Sequence, residues 1–210
     1  MANDGPYTAG PVTNRPAFGY LVEIVETLVL TLIIFVVIQT FVAQPYQVQL
    51  KSMQHTLEPE QYVLVDKLTP RFDTYKRGDV VVFTPPGDWV DGNGTPYIKR
   101  VIGVAGDTVE IRDDGLVYID DQALDEPYVF NDDGGPAHAT TASSAEARWT
   151  IAPGEVFLMG DHRSNSADSR EFGPVETDQV IGRAWLRYWP LDTVGILPTP
   201  IYLDLVPAAP

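Results

Sequence analysis

The sequence predicts a mainly β protein, an antiparallel sheet or barrel with a small inserted subdomain, preceded by one N-terminal transmembrane helix. Three observations carry that expectation. Between Leu21 and Val42 the chain is dominated by Leu, Val, Ile and Phe; beyond Pro45 it breaks into short β-type runs; and Gly/Pro turn sequences, not helical stretches, separate those runs. Many short strands with turn punctuation indicate a sandwich or barrel, whereas a parallel α/β sheet needs strand–helix alternation, which this chain lacks.

Residues 1–19 contain Pro6, Pro11 and Pro16 with Gly5, Gly10 and Gly19. Such a composition buries too little apolar surface to fold alone and reads as a flexible tail. From Tyr20 to Ala43 the character changes. About 22 apolar residues at 1.5 Å each span a hydrocarbon core of about 30 Å, so residues 20–43 are expected to cross a membrane. A cleavable signal peptide would have a basic leader and a shorter apolar core; here the tail offers only Arg15. Glu23 and Glu26 fall in the first two turns, where carboxylates can sit at the interface. Arg15 on one flank and Lys51 on the other leave the sidedness open.

The first part of the β core is expected over residues 44–119. Its strands are Tyr46–Leu50, Tyr62–Asp66, Val80–Thr84, Tyr97–Val104, Thr108–Arg112 and Leu116–Ile119. Turn chemistry such as Lys76-Arg77-Gly78-Asp79, Pro85-Pro86-Gly87-Asp88 and Asp113-Asp114-Gly115 separates them. Residues 120–148, polar and rich in Ala, Ser, Thr and Asp, read as an inserted mobile subdomain or loop. The core then resumes over 149–210 with strands Val156–Met159 and Val180–Tyr188.

Composition narrows the function. A chain of 210 residues with 29 acidic and 14 basic side chains, formal charge -15, has no basic stripe to hold phosphates, which excludes a nucleic-acid partner. Acidic pairs such as Asp120-Asp121 and Asp132-Asp133 read as a solvated face, with adaptation to high salt the other reading. The absence of cysteine removes disulfides, thiolate catalysis and Cys-based zinc sites. His55, His138 and His162 stand far apart and form no ligand motif, so neither metal nor cofactor is expected.

Chemistry is expected at Ser52-Met53-Gln54-His55-Thr56-Leu57, just after the apolar segment. A serine hydroxyl needs a base. His55 is three residues from Ser52 and His162 is beside Asp161, spacings that suit a Ser-His-Asp arrangement poorly. A lysine kept neutral by burial can serve instead. In an extended segment Tyr97, Lys99 and Val101 share one face, placing Lys99 between an aromatic and a branched aliphatic neighbour. From that segment alone, an exposed strand lysine with its stem along the sheet is equally admissible.

Three ordered motifs then coincide. After the apolar segment come Pro45-Tyr46 and Ser52-Met53 with Thr56-Leu57. Next is Lys99-Arg100-Val101-Ile102-Gly103 with Gly106-Asp107, and finally Gly160-Asp161-x-Arg163-x-x-Ser166-x-Asp168-Ser169-Arg170. This order, from about Tyr20 to Leu197 and including Tyr188-Trp189-Pro190-Leu191, resembles type I bacterial signal peptidase, the Ser-Lys membrane protease. The resemblance implies a membrane-anchored endopeptidase that removes signal peptides from exported preproteins after small residues. It implies a single-pass protein of the bacterial cell membrane with its catalytic domain on the extracytoplasmic side.

Position by position, the resemblance makes Ser52 the nucleophile and Lys99 the general base. Ser166 becomes the hydroxyl that orients the lysine, and Asp161, Arg100, Asp168 and Arg170 become charged residues bracing the site. Val48, Met53, Leu57, Tyr97 and Ile98 fall at positions lining shallow pockets for the first and third residues before the cut. Three positions depart from the pattern. Lys51 stands where glycine is usual, His55 where proline is usual, and Leu50 where some members carry a serine that helps form the oxyanion hole. An oxyanion hole here is therefore expected to rely on the Ser52 backbone N–H, and Lys51 occupies a place where glycine could serve φ > 0. Two other readings remain at this stage: a non-catalytic tethered β-domain that binds export substrates or partners, and a Ser-Lys peptidase with a specialised substrate such as a pilin.

Overall fold

The computed structural model describes residues 17–87, 89, 95–130, 140–142, 147–200 and 202. It divides into two compact units, 1–39 and 40–210. Helix α1 (Ala17–Val37) belongs to the first, and the chain runs on from it into a π-helical turn over Ile38–Val42. Phe18–Val42 is long and apolar enough to cross a membrane, and none of it is buried. The hydroxyls of Thr27 and Thr31 donate to the carbonyls of Glu23 and Thr27, at 2.8 and 2.7 Å, so these polar groups are satisfied within the helix. The helix begins before Tyr20, where the sequence placed it, and ends at Val42. Residues 1–16 of the expected tail lie outside the described residues.

The second unit is built on antiparallel strands. In chain order these are β1 (Ala43–Gln47), β2 (Tyr62–Asp66), β3 (Val80–Phe83), β4 (Tyr97–Val104), β5 (Thr108–Ile111) and β6 (Val117–Ile119). They continue as β7 (Gln122–Ala123), β8 (Arg148–Thr150), β9 (Glu155–Met159), β10 (Val175–Glu176), β11 (Val180–Trp189) and β12 (Gly195–Ile196). A one-turn helix α2 (Ser169–Phe172) lies between β9 and β10. The large sheet has the order β1-β2-β11-β3-β4-β9-β10, with β12 also on β11, and the small sheet is β7-β6-β5-β8.

β3 shows why this sheet reads as near-continuous Val. All four of its residues are buried. Val80 and Val82 pack into a cluster with Val48, Met53, Leu57, Val63 and Val65, while Val81 and Phe83 join Val101, Val156 and Leu158 in another. A strand covered on both faces has no polar alternation to display. A third cluster joins the small sheet to the large one through Ile102, Val109, Trp149, Ile151 and Phe157. At Gly182 of β11 an added Cβ would lie 2.3 Å from the Asp66 carbonyl oxygen, so only glycine lets β11 approach β2 so closely.

One expectation is corrected. The first strand is Ala43–Gln47, not Tyr46–Leu50, because its pairing from Ala43↔Asp66 to Gln47↔Tyr62 uses all five residues of β2. Residues 48–50 are left to begin the next turn. The stretch read as a mobile insertion is tied in at its described ends. Asp120 and Asp121, at φ 49 and 69, form a two-residue hairpin turn with Ile119 opposite Gln122. Leu124 and Tyr128 are buried in the third cluster, and Arg148 already belongs to β8. Residues 131–139 and 143–146 lie outside the described residues.

Candidate active site

Ser52 sits on a tight turn closed at its base by Val48 N–H to Gln61 carbonyl (2.8 Å) and Glu60 N–H to Val48 carbonyl (2.9 Å). Inside it the Leu57 N–H donates to the Met53 carbonyl at 2.7 Å. That closure sends Met53 and Leu57 to the same side, where both are fully buried in the core beneath the turn. Anchored from below, the turn presents Ser52 at 7 % exposure.

Lys99 comes from the middle of β4, paired with Val81 of β3. Its Nζ lies 2.6 Å from Ser52 Oγ and 5.6 Å from the centre of the Tyr97 ring. At 4 % exposure, burial lowers its pKa to about 8; the charges of Asp168 and Asp161 oppose the shift and that of Arg170 assists it. Among the described residues no carboxylate forms an ion pair with Lys99. A largely uncompensated buried amine beside a serine hydroxyl is the arrangement in which that hydroxyl can lose its proton near neutral pH.

Arg100, the next residue, faces the opposite requirement and meets it. Its guanidinium grips Asp161 through two bonds (Nε–Oδ1 2.8 Å, Nη2–Oδ2 2.7 Å), donates to the Gly78 carbonyl at 2.8 Å and reaches Thr56 Oγ1 at 3.0 Å. Asp168 caps α2 and accepts from Arg170 Nε at 2.8 Å and from the Gly160 N–H at 3.0 Å. Burial pushes its carboxyl up, but the bonds and charge of Arg170 outweigh burial and hold it below the usual range. Arg170 also donates to the carbonyls of Arg163 (2.8 Å) and Ser166 (3.1 Å), pinning the loop between them.

A groove of about 820 Å³ opens at the pair, lined by Tyr46, Val48, Tyr97, Ile98, Ser52 and Lys99 among others. Val48, Tyr97 and Ile98 thus stand at the groove wall. Met53 and Leu57 do not line it, because the turn turns them inward. The Ser166 hydroxyl is buried at the groove and has no hydrogen-bond partner among the described residues, so the orienting bond to Lys99 is not formed. The Ser52 N–H likewise makes no hydrogen bond among the described residues, while its carbonyl accepts from the His162 N–H at 3.0 Å. Leu50 is 62 % exposed and offers no side-chain donor.

The departures around Ser52 resolve locally. Lys51 has an ordinary negative φ; the left-handed residues of the turn are Glu60, at φ 69, and His55, at φ 73. Proline, fixed near −65°, cannot adopt that geometry, so this turn is wound differently from one with proline there. The sequence gives no role to Gly160. A Cβ there would fall 2.3 Å from Ser166 Oγ and 2.5 Å from the Ser52 carbonyl oxygen, so its bare α-carbon lets the two loops meet. No local signal marks it, since the collision exists only once residues 52 and 166 are adjacent.

The signal peptidase, peptidase S26, family model matches residues 21–189. Signal peptidase I of Leptolyngbya laminosa is 35% identical over 202 residues, covering 92% of this chain and 93% of that protein. Signal peptidase I of Bacillus caldolyticus is 34% identical over 158 residues, 73% of this chain and 83% of that protein. Signal peptidase IB of Staphylococcus aureus is 31% identical over 179 residues, 81% of this chain and 90% of that protein. Among solved structures, a signal peptidase I from Enterococcus faecalis V583 is 31% identical, covers 53% of this chain and 97% of its own, and has a TM-score of 0.40.

Proposed function

The chain belongs to the signal peptidase family, peptidase S26, and on that premise we propose that Ser52 and Lys99 cleave signal peptides from preproteins. The single observation that supports this pairing best is the 2.6 Å approach of Lys99 Nζ to Ser52 Oγ at a groove of about 820 Å³. A membrane-associated signal-peptide-cleaving protease is the function of the family, and the non-catalytic reading is not favoured.

In the first half of the reaction Ser52 Oγ attacks the carbonyl carbon of the scissile peptide as Lys99 takes the hydroxyl proton. The developing oxyanion falls within reach of the free Ser52 N–H. The tetrahedral adduct collapses, the C–N bond breaks, and the Lys99 ammonium returns its proton to the leaving amine. Lys99, neutral again, takes a proton from water as the water attacks the ester, and the collapse of the second adduct restores Ser52 Oγ–H and releases the signal peptide. While protonated, Lys99 has N–H groups for which the unsatisfied Ser166 hydroxyl is an acceptor. Arg100–Asp161 and Asp168–Arg170 hold the surrounding loops in register. An extended substrate strand lies in the groove as an added β-strand, with small side chains before the cut against Val48, Tyr97 and Ile98. The helix Phe18–Val42 anchors the enzyme as a single-pass protein of the bacterial cell membrane, catalytic unit on the extracytoplasmic side, where exported preproteins present their cleavage sites.

The test is incubation of the detergent-solubilised chain with a preprotein whose signal ends in Ala-x-Ala. Cleavage after the second Ala, lost in both Ser52→Ala and Lys99→Ala, is expected; cleavage surviving either substitution removes the dyad.

A further inference from the structure

The segment from Glu126 to Phe130 lies within the stretch read from sequence as a mobile insertion, yet three alternate residues of it meet the loop behind the site. The Glu126 carboxylate holds the Arg163 guanidinium through two bonds, one of 2.9 Å to Nη1 and a shorter one to Nη2; the two side chains are 10% and 1% exposed. The face of the Tyr128 ring lies 4.0 Å from the guanidinium carbon of Arg100, and its hydroxyl reaches Glu126 at 3.0 Å. The Phe130 N–H donates to the Asp161 carbonyl at 2.9 Å, and its ring meets His162 edge-on at 4.8 Å.

These contacts continue inward. Arg163 Nε donates to the Gly160 carbonyl at 3.1 Å, and Gly160 is the residue against which Ser166 Oγ and the Ser52 carbonyl are packed. Arg100 is clamped on its edge by Asp161 and on its face by Tyr128, next to Lys99 on β4. One short segment thus closes the outer side of the loop that carries Asp161 and Ser166, and does so without lining the groove.

We propose that Glu126–Phe130 is a positioning strap: Glu126 and Tyr128 hold the Gly160–Ser166 loop against the nucleophile turn and keep water away from Lys99. This rests on the Ser-Lys reading. Glu126 is not a catalytic residue, since it acts through Arg163. Without its carboxylate Arg163 is a buried cation whose main partner is gone, and the loop must open to hydrate it. Opening it admits water to an amine whose neutrality depends chiefly on dryness. The groups that face Lys99 are Ser52, the Tyr97 ring, Asp161, Asp168 and Arg170. With those charges unchanged, hydration moves the amine back toward its ordinary range.

The experiment uses the full chain in detergent with Glu126→Ala, Glu126→Gln, Glu126→Asp and Tyr128→Leu. It reads kcat and KM against pH on an Ala-x-Ala preprotein, and the Lys99 amine titration by NMR on lysine-labelled protein. Glu126→Ala is expected to lower kcat at pH 8 by about tenfold or more with KM changed less than about twofold. The Lys99 midpoint moves up from about 8 toward 10.5, and Glu126→Asp recovers most of both. Unchanged kcat and midpoint in folded variants overturn the strap, as does a raised KM with the midpoint unmoved, which would make the segment a groove wall. If Glu126→Ala fails to fold, Glu126→Gln, which keeps the shape and removes the charge, decides on the same readouts. A wild type that cleaves no preprotein, but whose Lys99 titration still shifts in the variants, refutes the peptidase reading and leaves the strap standing.

Discussion

If Lys99 is the base, the rate follows the fraction of the amine that is neutral, and burial sets that fraction. With a pKa of about 8, roughly 9 % is neutral at pH 7, half at pH 8 and about 90 % at pH 9. An amine left at 10.5 would be neutral in only about one molecule in 3,000 at pH 7, so dryness is worth about 300-fold in competent enzyme. Peptide cleavage followed from pH 6.5 to 9.5 at fixed ionic strength is expected to show kcat/KM rising about tenfold between pH 7 and 9 and then levelling. Stability carries the opposite face of the same shift. The folded chain holds this proton less tightly than the unfolded one, so Lys99 destabilises the fold by about 3 kcal/mol below pH 8. That penalty disappears as the pH rises from about 8 to 10.5. Thermal unfolding of the wild type should therefore show a contribution rising across that window which Lys99→Met lacks. A rate that is flat between pH 7 and 9, or one that rises only near 10.5, refutes the reasoning.

Three further outcomes follow from particular contacts. Gly160→Ala places a methyl 2.3 Å from Ser166 Oγ and 2.5 Å from the Ser52 carbonyl oxygen; one loop must move, and kcat is expected to fall about 10²-fold, with about 1–3 kcal/mol lost in urea unfolding. Asp168→Asn removes a negative charge that raises the Lys99 pKa, so the kcat/KM midpoint moves below about 8 in a pH titration. The same change removes the buried carboxylate that Arg170 Nε meets at 2.8 Å and lowers stability by about 3–5 kcal/mol. His55→Pro demands φ near −65° where the turn has 73°; it is expected to destabilise by more than about 1 kcal/mol and to cut turnover, checked by thermal unfolding and peptide cleavage.

Sequence reading succeeded where one local pattern decides structure. β2, β4 and β11 were legible because each is a run of β-formers bounded by turn residues, and α1 because Leu, Val, Ile and Phe dominate it. The Ser52–Lys99 pair was singled out through the family resemblance, and the fold brings Lys99 Nζ within 2.6 Å of Ser52 Oγ. What stayed hidden depends on long-range closure. Met53 and Leu57 carry apolar side chains at the right positions for a pocket, but a 2.7 Å backbone bond inside the turn directs them to the core instead. Glu126 and Tyr128 sit in a polar, Asp-rich stretch whose composition signals a loop, and only the fold brings them to Arg163 and Arg100. The first strand was misplaced by register, which a partner strand sets and a single segment does not contain.

Lys99 and Arg100 show how one strand places two cations in different electrostatic settings. Both are cations on adjacent positions of β4, both are nearly inaccessible at 4% and 0% exposure, and both therefore lose their hydration. Burial alone cannot separate their roles. The difference is the partner: Asp161 meets Arg100 with two parallel bonds, and among the described residues no carboxylate forms an ion pair with Lys99. A guanidinium with a matched carboxylate keeps its charge and fixes the loop that bears Asp161. Burial makes the Lys99 amine, set beside a hydroxyl and an aromatic ring, hold its proton less tightly than usual, at a pKa of about 8. Side-chain alternation along the strand turns two successive basic residues outward from each other, so the two environments can be built independently on the two faces of the same sheet.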